Sequence, residues 1–164
     1  LQAVAAAKAA AEGRSMEEIL GMLKDLGPRI HVFAVLDTLE FMRRSGRLSR
    51  FQFGLGSLLQ IKVIIMMHDG EVSIERVRTR KRAIGRLIAL VSELAPLEEL
   101  ALVHTHAPAH AEDLREKAAG LFPEDRLPLS AEVTPVIGAH IGPGAVGFVA
   151  IRERNPVAIV GGPK

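Results

Sequence analysis

The chain has 164 residues, with a formal net charge of +2, 48% hydrophobic residues and 24% charged residues. That balance fits one globular domain long enough to bury a sizeable core. Cys is absent, which excludes disulfides and thiolate chemistry, and so small a charge excess argues against a dedicated nucleic-acid binder. Aromatic residues make up only 4%, with no Trp or Tyr, so the core is expected to be aliphatic. No apolar run approaches the roughly 18 residues that cross a bilayer. The first residues carry no basic signal-peptide region. The chain opens at Leu1 inside a helix-favouring stretch and reads as a piece of a longer, cytoplasmic protein.

Residues 1–12 are Ala-rich and favour helix, with Gly13 suited to the left-handed stop. Ser15-Met-Glu-Glu18 is a capping-box pattern, which predicts a second helix to about residue 26, stopped by Gly27-Pro28. Residues 30–36 read as a buried strand. Asp37 or Thr38 can cap a short helix through residue 44. Ser45-Gly46 breaks it, and Ser49 can cap another through residue 60. Residues 61–67 form an apolar run, and Asp69-Gly70 marks a hairpin to a partner strand over 71–78. A long helix is expected over 79–94, a strand over 98–103 and a Pro-initiated helix over 108–121. A strand over 127–133, a short helical turn over 136–140 and a strand over 145–151 complete the domain. Residues 155–164 are expected to fray. Strands alternating with helices around one tight hairpin imply an α/β fold. The predicted architecture is two-layered, with a mixed sheet of about six strands and helices mainly on one face.

Four segments attract attention chemically. In Phe41-Met-Arg-Arg-Ser-Gly-Arg47-Leu-Ser49 an Arg follows a helix-ending Gly and precedes a new helix start, a setting suited to an anion; it equally suits a solvated loop Arg. Val136-Ile-Gly-Ala-His140-Ile-Gly-Pro-Gly144 is a compact loop where backbone can approach a ligand and a His can donate to an anion. A turn with an incidental His has the same pattern. Along residues 72–78, Val72, Ile74, Arg76 and Arg78 share one strand face that changes from apolar to cationic, whether to meet an anionic head group or only water. His104-Thr-His106-Ala-Pro-Ala-His110 lacks an interposed carboxylate and crosses from strand to helix, so polar strand-end residues explain it better than a metal site. Walker A, H-E-x-x-H and G-x-S-x-G motifs are missing, and no G-x-G-x-x-G follows a predicted strand.

Together these residues resemble the DegV family. Leu39-Glu-Phe-Met-Arg-Arg-Ser-Gly-Arg47-Leu-Ser49 is similar to a short helix leading to Gly-Gly-Arg-Ile-Ser. Leu58-Leu-Gln-Ile-Lys-Val-Ile64 with Asp69-Gly70 resembles the family's Leu-Leu-x-Ile-Lys-Pro strand and hairpin. Arg76-Val-Arg78-Thr-Arg-Lys-Arg-Ala-Ile84 looks like its basic stretch before a long helix. Thr134-Pro-Val-Ile-Gly-Ala-His140-Ile-Gly-Pro-Gly-Ala-Val-Gly147 is similar to its closing loop nearly residue for residue. The matches run in family order. Departures are Ser45-Gly46 for Gly-Gly and Val63 for the usual Pro.

The resemblance implies a protein that binds a long-chain fatty acid, not a self-sufficient enzyme. It presents the ligand to the catalytic subunit of a fatty acid kinase for phosphorylation and phospholipid synthesis. By the same resemblance Arg47, Arg78 and His140 lie near the head group, with Arg76 and Arg80 as alternatives to Arg78. Ser49, Gly142 and Gly144 support the loop, and neither cofactor nor metal is implied. Residues 1–29 correspond to the end of an N-terminal domain or linker and residues 30–164 to the C-terminal lipid-binding domain. The N-terminal domain, which carries carboxylate-binding hydroxyls, has no counterpart here. Two other readings stand beside this one. A small-molecule phosphotransfer enzyme like dihydroxyacetone kinase would use His140 on its substrate. A regulatory module would bind nucleic acid through residues 76–86.

Overall fold

The computed structural model describes residues 1–47, 61–123 and 128–154. The helix expected over 49–60, Ser49 itself and the tail over 155–164 lie outside the described residues. Two helices open the chain, α1 (Gln2–Ala11) and α2 (Met16–Leu26). The predicted capping box forms in full: Ser15 N–H donates to Glu18 Oε2 at 2.7 Å and Glu18 N–H to Ser15 Oγ at 3.3 Å. Strand β1 (Ile30–Leu36) follows, then α3 (Glu40–Arg44). That helix starts later than its two candidate caps suggested. Thr38 Oγ1 accepts the Glu40 N–H at 3.1 Å, which closes a local turn before the helix begins.

Strands β2 (Lys62–His68) and β3 (Glu71–Val77) form the expected hairpin. Asp69 and Gly70 both take left-handed φ, 47° and 79°, the pair of conformations a two-residue turn of this twist demands. Helix α4 (Arg80–Ser92) is capped by Thr79, whose hydroxyl accepts the Arg82 N–H at 3.2 Å. Strand β4 (Leu97–His104), α5 (Pro108–Lys117), β5 (Leu129–Glu132), α6 (Pro135–Ile141) and β6 (Val146–Arg152) complete the order. Helix α5 is shorter than predicted, because residues 119–121 tighten into a 3₁₀ turn.

The six strands form one sheet in the order β3-β2-β1-β6-β4-β5. All neighbours are antiparallel except β4 and β5, which are parallel and joined through α5. The fold is thus α/β with a mixed open sheet. One face packs on α4 and α5 around Phe33, Val35, Ile64, Leu87, Leu102 and Phe148. Phe148 is fully buried, and truncating such a side chain to Ala costs about 3–5 kcal/mol. The other face holds a smaller cluster, Leu36, Leu39, Met42 and Val63, with Ile141 of α6 packed against it.

Register sets the composition of that second face, since directly paired residues point the same way. One row of pairs crosses the sheet as Val72, Met67, Val32, Val149, Ala101 and Leu129. The next row is Ile74, Ile65, Ala34, Gly147, Val103 and Ala131. Both rows are apolar from edge to edge, a span of roughly 24 Å at a strand spacing of ~4.8 Å. Arg76 opens the row after them, opposite Val63.

Candidate functional site

The same end of the sheet collects the segments singled out in the sequence. β1 ends there at Leu36, β3 at Val77 and β4 at His104, while β2 and β6 begin there. Residues 37–47, Lys62, residues 76–80, Thr105 and the closing loop over 142–145 therefore share one end of the fold.

Arg47 stands just beyond α3. Its N–H donates to Met42 O at 3.0 Å and its exposed guanidinium to Ser45 O at 3.2 Å. Gly46 precedes it with φ 72°, the left-handed helix stop anticipated from Ser45-Gly46. Arg43 and Arg44 are both committed to Glu40, and their hydrogen bonds hold its carboxyl at about 2. His140 lies in the last turn of α6. The residue is half-buried, and its Nδ1 is buried with no hydrogen-bond partner among the described residues. Such an atom is an unused donor or acceptor.

Helices α3 and α6 pack against each other. Gly142, at φ 76°, fits because its backbone lies on the Phe41 ring, whose Cε2 would be 2.9 Å from a Cβ there. Gly144, at φ 85°, lies on the Asp37 carboxylate, with Oδ2 2.9 Å from a Cβ position. The glycines of the closing loop are required by conformation and by space together.

Arg76 and Arg78 are exposed. The shared face read from the sequence holds for Val72, Ile74 and Arg76 within β3; Arg78 lies past the strand's last residue, Val77. Arg80 is engaged inward, its guanidinium donating to Asp37 Oδ1 at 2.7 Å.

Three contributors escaped the sequence reading as site residues. Thr105 is 4% exposed; its hydroxyl donates to Gly142 O at 2.6 Å and accepts the Ala145 N–H at 2.9 Å. Asp37 accepts from Lys62 Nζ at 3.0 Å as well as from Arg80. Burial pushes the Asp37 carboxyl up, but the Lys62 hydrogen bond and the Arg80 charge outweigh it and hold the group below the usual carboxylate range. A Lys at the mouth of an otherwise apolar run was the available signal for Lys62. Nothing local distinguished Thr105 from the histidines beside it.

Those histidines are used separately. His104 Nδ1 accepts the Ala107 N–H at 3.3 Å, whereas His106 Nδ1 lies 3.8 Å from Glu132. His110 is in the first turn of α5. Among the described residues no group of three or more His, Asp or Glu side chains is arranged to hold a metal ion.

A cavity of about 620 Å³ opens beside α6, lined by Thr105, His106, Glu132, Thr134, Pro135 and Gly138. A smaller one of about 20 Å³ lies between α6 and the apolar face, against Ala34, Val103, Ile141 and Gly147. Among the described residues no helix is long and apolar enough to cross a membrane.

These features define an α/β domain with an open mixed sheet, one apolar face and a cationic loop end. The chain belongs to the DegV family: the model for uncharacterised proteins of that family matches residues 1–153. A DegV domain-containing protein of Clostridium acetobutylicum is 31% identical over 157 residues, covering 93% of this chain and 54% of that relative. One from Mycobacterium tuberculosis is 34% identical over 159 residues, 95% of this chain and 57% of the relative. The chain thus spans about half the length of the curated relatives it matches. Among solved structures, a fatty acid binding DegV family protein of Streptococcus agalactiae superposes with a TM-score of 0.78 at 31% identity, covering 93% of this chain and 55% of that one. DegV of Bacillus subtilis, described as a fatty acid binding protein, gives 0.73 at 29%, with 93% and 55% covered.

Proposed function

We propose that this chain is the ligand-holding half of a fatty-acid carrier. The observation that carries this reading is the pair of apolar rows crossing all six strands, bordered on the loop side by the row that Arg76 opens. An extended acyl chain suits the rows, and burying about ten methylenes at ~0.8 kcal/mol each favours binding by several kcal/mol before ordering costs. The carboxylate then lies at the loop end, within reach of Arg47, His140 and Arg78, with Arg76 as the alternative that shares the apolar face. The family's closing loop, with Gly142 and Gly144, supports this placement, as does the fatty acid binding of the Streptococcus and Bacillus proteins. A carrier needs no nucleophile; phosphorylation of the bound carboxylate falls to a separate fatty acid kinase subunit in the cytoplasm, which feeds phospholipid synthesis.

Native mass spectrometry of the full-length protein tests the class: a co-purified fatty acid is expected. Met67→Glu tests the geometry. Met67 is 44% exposed, so the fold should survive the change. A carboxylate in the row should weaken binding of cis-parinaric acid by roughly tenfold or more. No lipid on the protein, or wild-type affinity in Met67→Glu, sinks the reading.

A further inference from the structure

We propose that Asp37 is the positioning residue of the head-group site: Lys62 and Arg80 hold its carboxylate beneath Gly144, and this seats the closing loop that directly follows the α6 turn carrying His140. The inference rests on the carrier reading for its purpose, but its geometry is independent of it.

One carboxylate, two residues ahead of the first family-matched segment, binds a cation from each of the next two and touches the fourth. Asp37 follows β1, leading into the Arg47 segment. Lys62 begins β2, and its ammonium donates both to Asp37 Oδ1 at 3.0 Å and to the Asp37 backbone O at 2.8 Å. Arg80 begins α4 out of the basic stretch and donates to Oδ1 at 2.7 Å. Both cations are on Oδ1, while Oδ2 faces the Gly144 backbone. From its other side the loop is fixed by Thr105: Gly144 N–H donates to Thr105 O at 2.8 Å, and the Thr105 hydroxyl spans Gly142 and Ala145. The loop is thus clamped between Thr105 and the pair Asp37 and Phe41. The three charged side chains are 28–36% exposed, so water screens the cluster only in part.

Position is what a buried imidazole nitrogen, without a partner among the described residues, needs in order to meet a ligand at hydrogen-bond distance. In this proposal Asp37 acts through the Gly144 backbone. It also keeps two cations in place, and one positive charge is left over in the cluster, the sign that suits a carboxylate.

The test compares Asp37→Asn with Glu75→Gln. The second variant breaks the ion pair between Glu75 and Arg86, 3.0 Å apart, at a distance from the loop. Amide exchange across residues 142–145 and the His140 imidazole resonances are read by NMR in the ligand-free chain; cis-parinaric acid affinity is read by fluorescence. Asp37→Asn should speed loop exchange, shift the His140 signals and weaken binding about tenfold, while Glu75→Gln leaves all three unchanged. The proposal is overturned if Asp37→Asn moves His140 and the loop no more than Glu75→Gln does. It is also overturned if affinity rises, which would mean that the freed cations serve the ligand themselves. Should the wild-type chain bind no fatty acid, the carrier reading falls, while the NMR comparison still decides the role of Asp37.

Discussion

Thr105 concentrates the demands of the closing loop on a single buried hydroxyl. Its Oγ1 donates to Gly142 O and accepts from Ala145 N–H, so removing it strands two buried backbone groups at once. Thr105→Val, nearly the same shape, should cost about 1–3 kcal/mol in chemical denaturation, and Thr105→Ser should recover most of that. Two histidines make a second residue-scale prediction. His31 and His68 stack with ring centroids 3.9 Å apart and planes 5° from parallel. Burial first, then the charges of His68 and Arg152, lower the His31 pKa. Between that value and the ordinary one near 6.5 the unfolded chain binds more protons than the folded chain. The contribution of His31 to stability is therefore complete above about pH 6.5 and is lost as pH falls through the folded value. NMR titration should find His31 below an ordinary histidine, and His68→Gln should bring it upward; an unshifted His31 would contradict the stack. Arg47 and His140 stood out in the sequence because an Arg after a helix-ending Gly and a His in a Gly-Pro loop are locally conspicuous. Thr105, Asp37 and Lys62 did not, since each acquires its role from partners 25 to 43 residues away.

At the scale of elements, the best-read features were those with a complete local mechanism. The Ser15 and Glu18 exchange, the Thr79 cap and the Asp69-Gly70 turn each satisfy their backbone groups within four residues. Ser15→Ala should accordingly cost about 1 kcal/mol, and circular dichroism should lose a corresponding part of α2 on mild heating, with the sheet signal unchanged. The start of α3 was misread because Thr38 caps a turn instead of a helix, and both outcomes have one sequence pattern. The length of α5 was overestimated because an α-helix and a 3₁₀ turn tolerate the same residues at 119–121. Strand existence was legible in apolar runs, but pairing was not. The antiparallel placement of β6 between β1 and β4 depends on contacts more than a hundred residues apart for β1, which no local pattern encodes.

The whole molecule presents an apolar face whose exposed members include Met67, Val72 and Leu129, and it spans only about half the length of its relatives. The remaining half of the relatives' length is where the DegV resemblance would put further carboxylate contacts. We therefore expect the 164-residue chain to fold on its own sheet and core but to bind fatty acid more weakly than the full-length protein. Losing one charge-assisted hydrogen bond costs roughly 1.5–3 kcal/mol, a tenfold or larger drop in affinity. Parallel titrations of cis-parinaric acid measure this; equal affinities would make Arg47, Arg78 and His140 a sufficient head-group site.

The position of β6 also dictates an order of assembly during synthesis. Residues 30–77 can form a three-stranded meander and residues 97–132 a strand-helix-strand unit, yet neither touches the other within the sheet until residues 146–152 dock between them. Until the ribosome has released that last strand, β1 offers one bare, strongly apolar edge to any neighbouring chain. The loop over 142–145 has no seat before the same event. A nascent chain stalled just short of β6 should thus be both ligand-incompetent and aggregation-prone, and the two properties should be corrected together when the strand arrives.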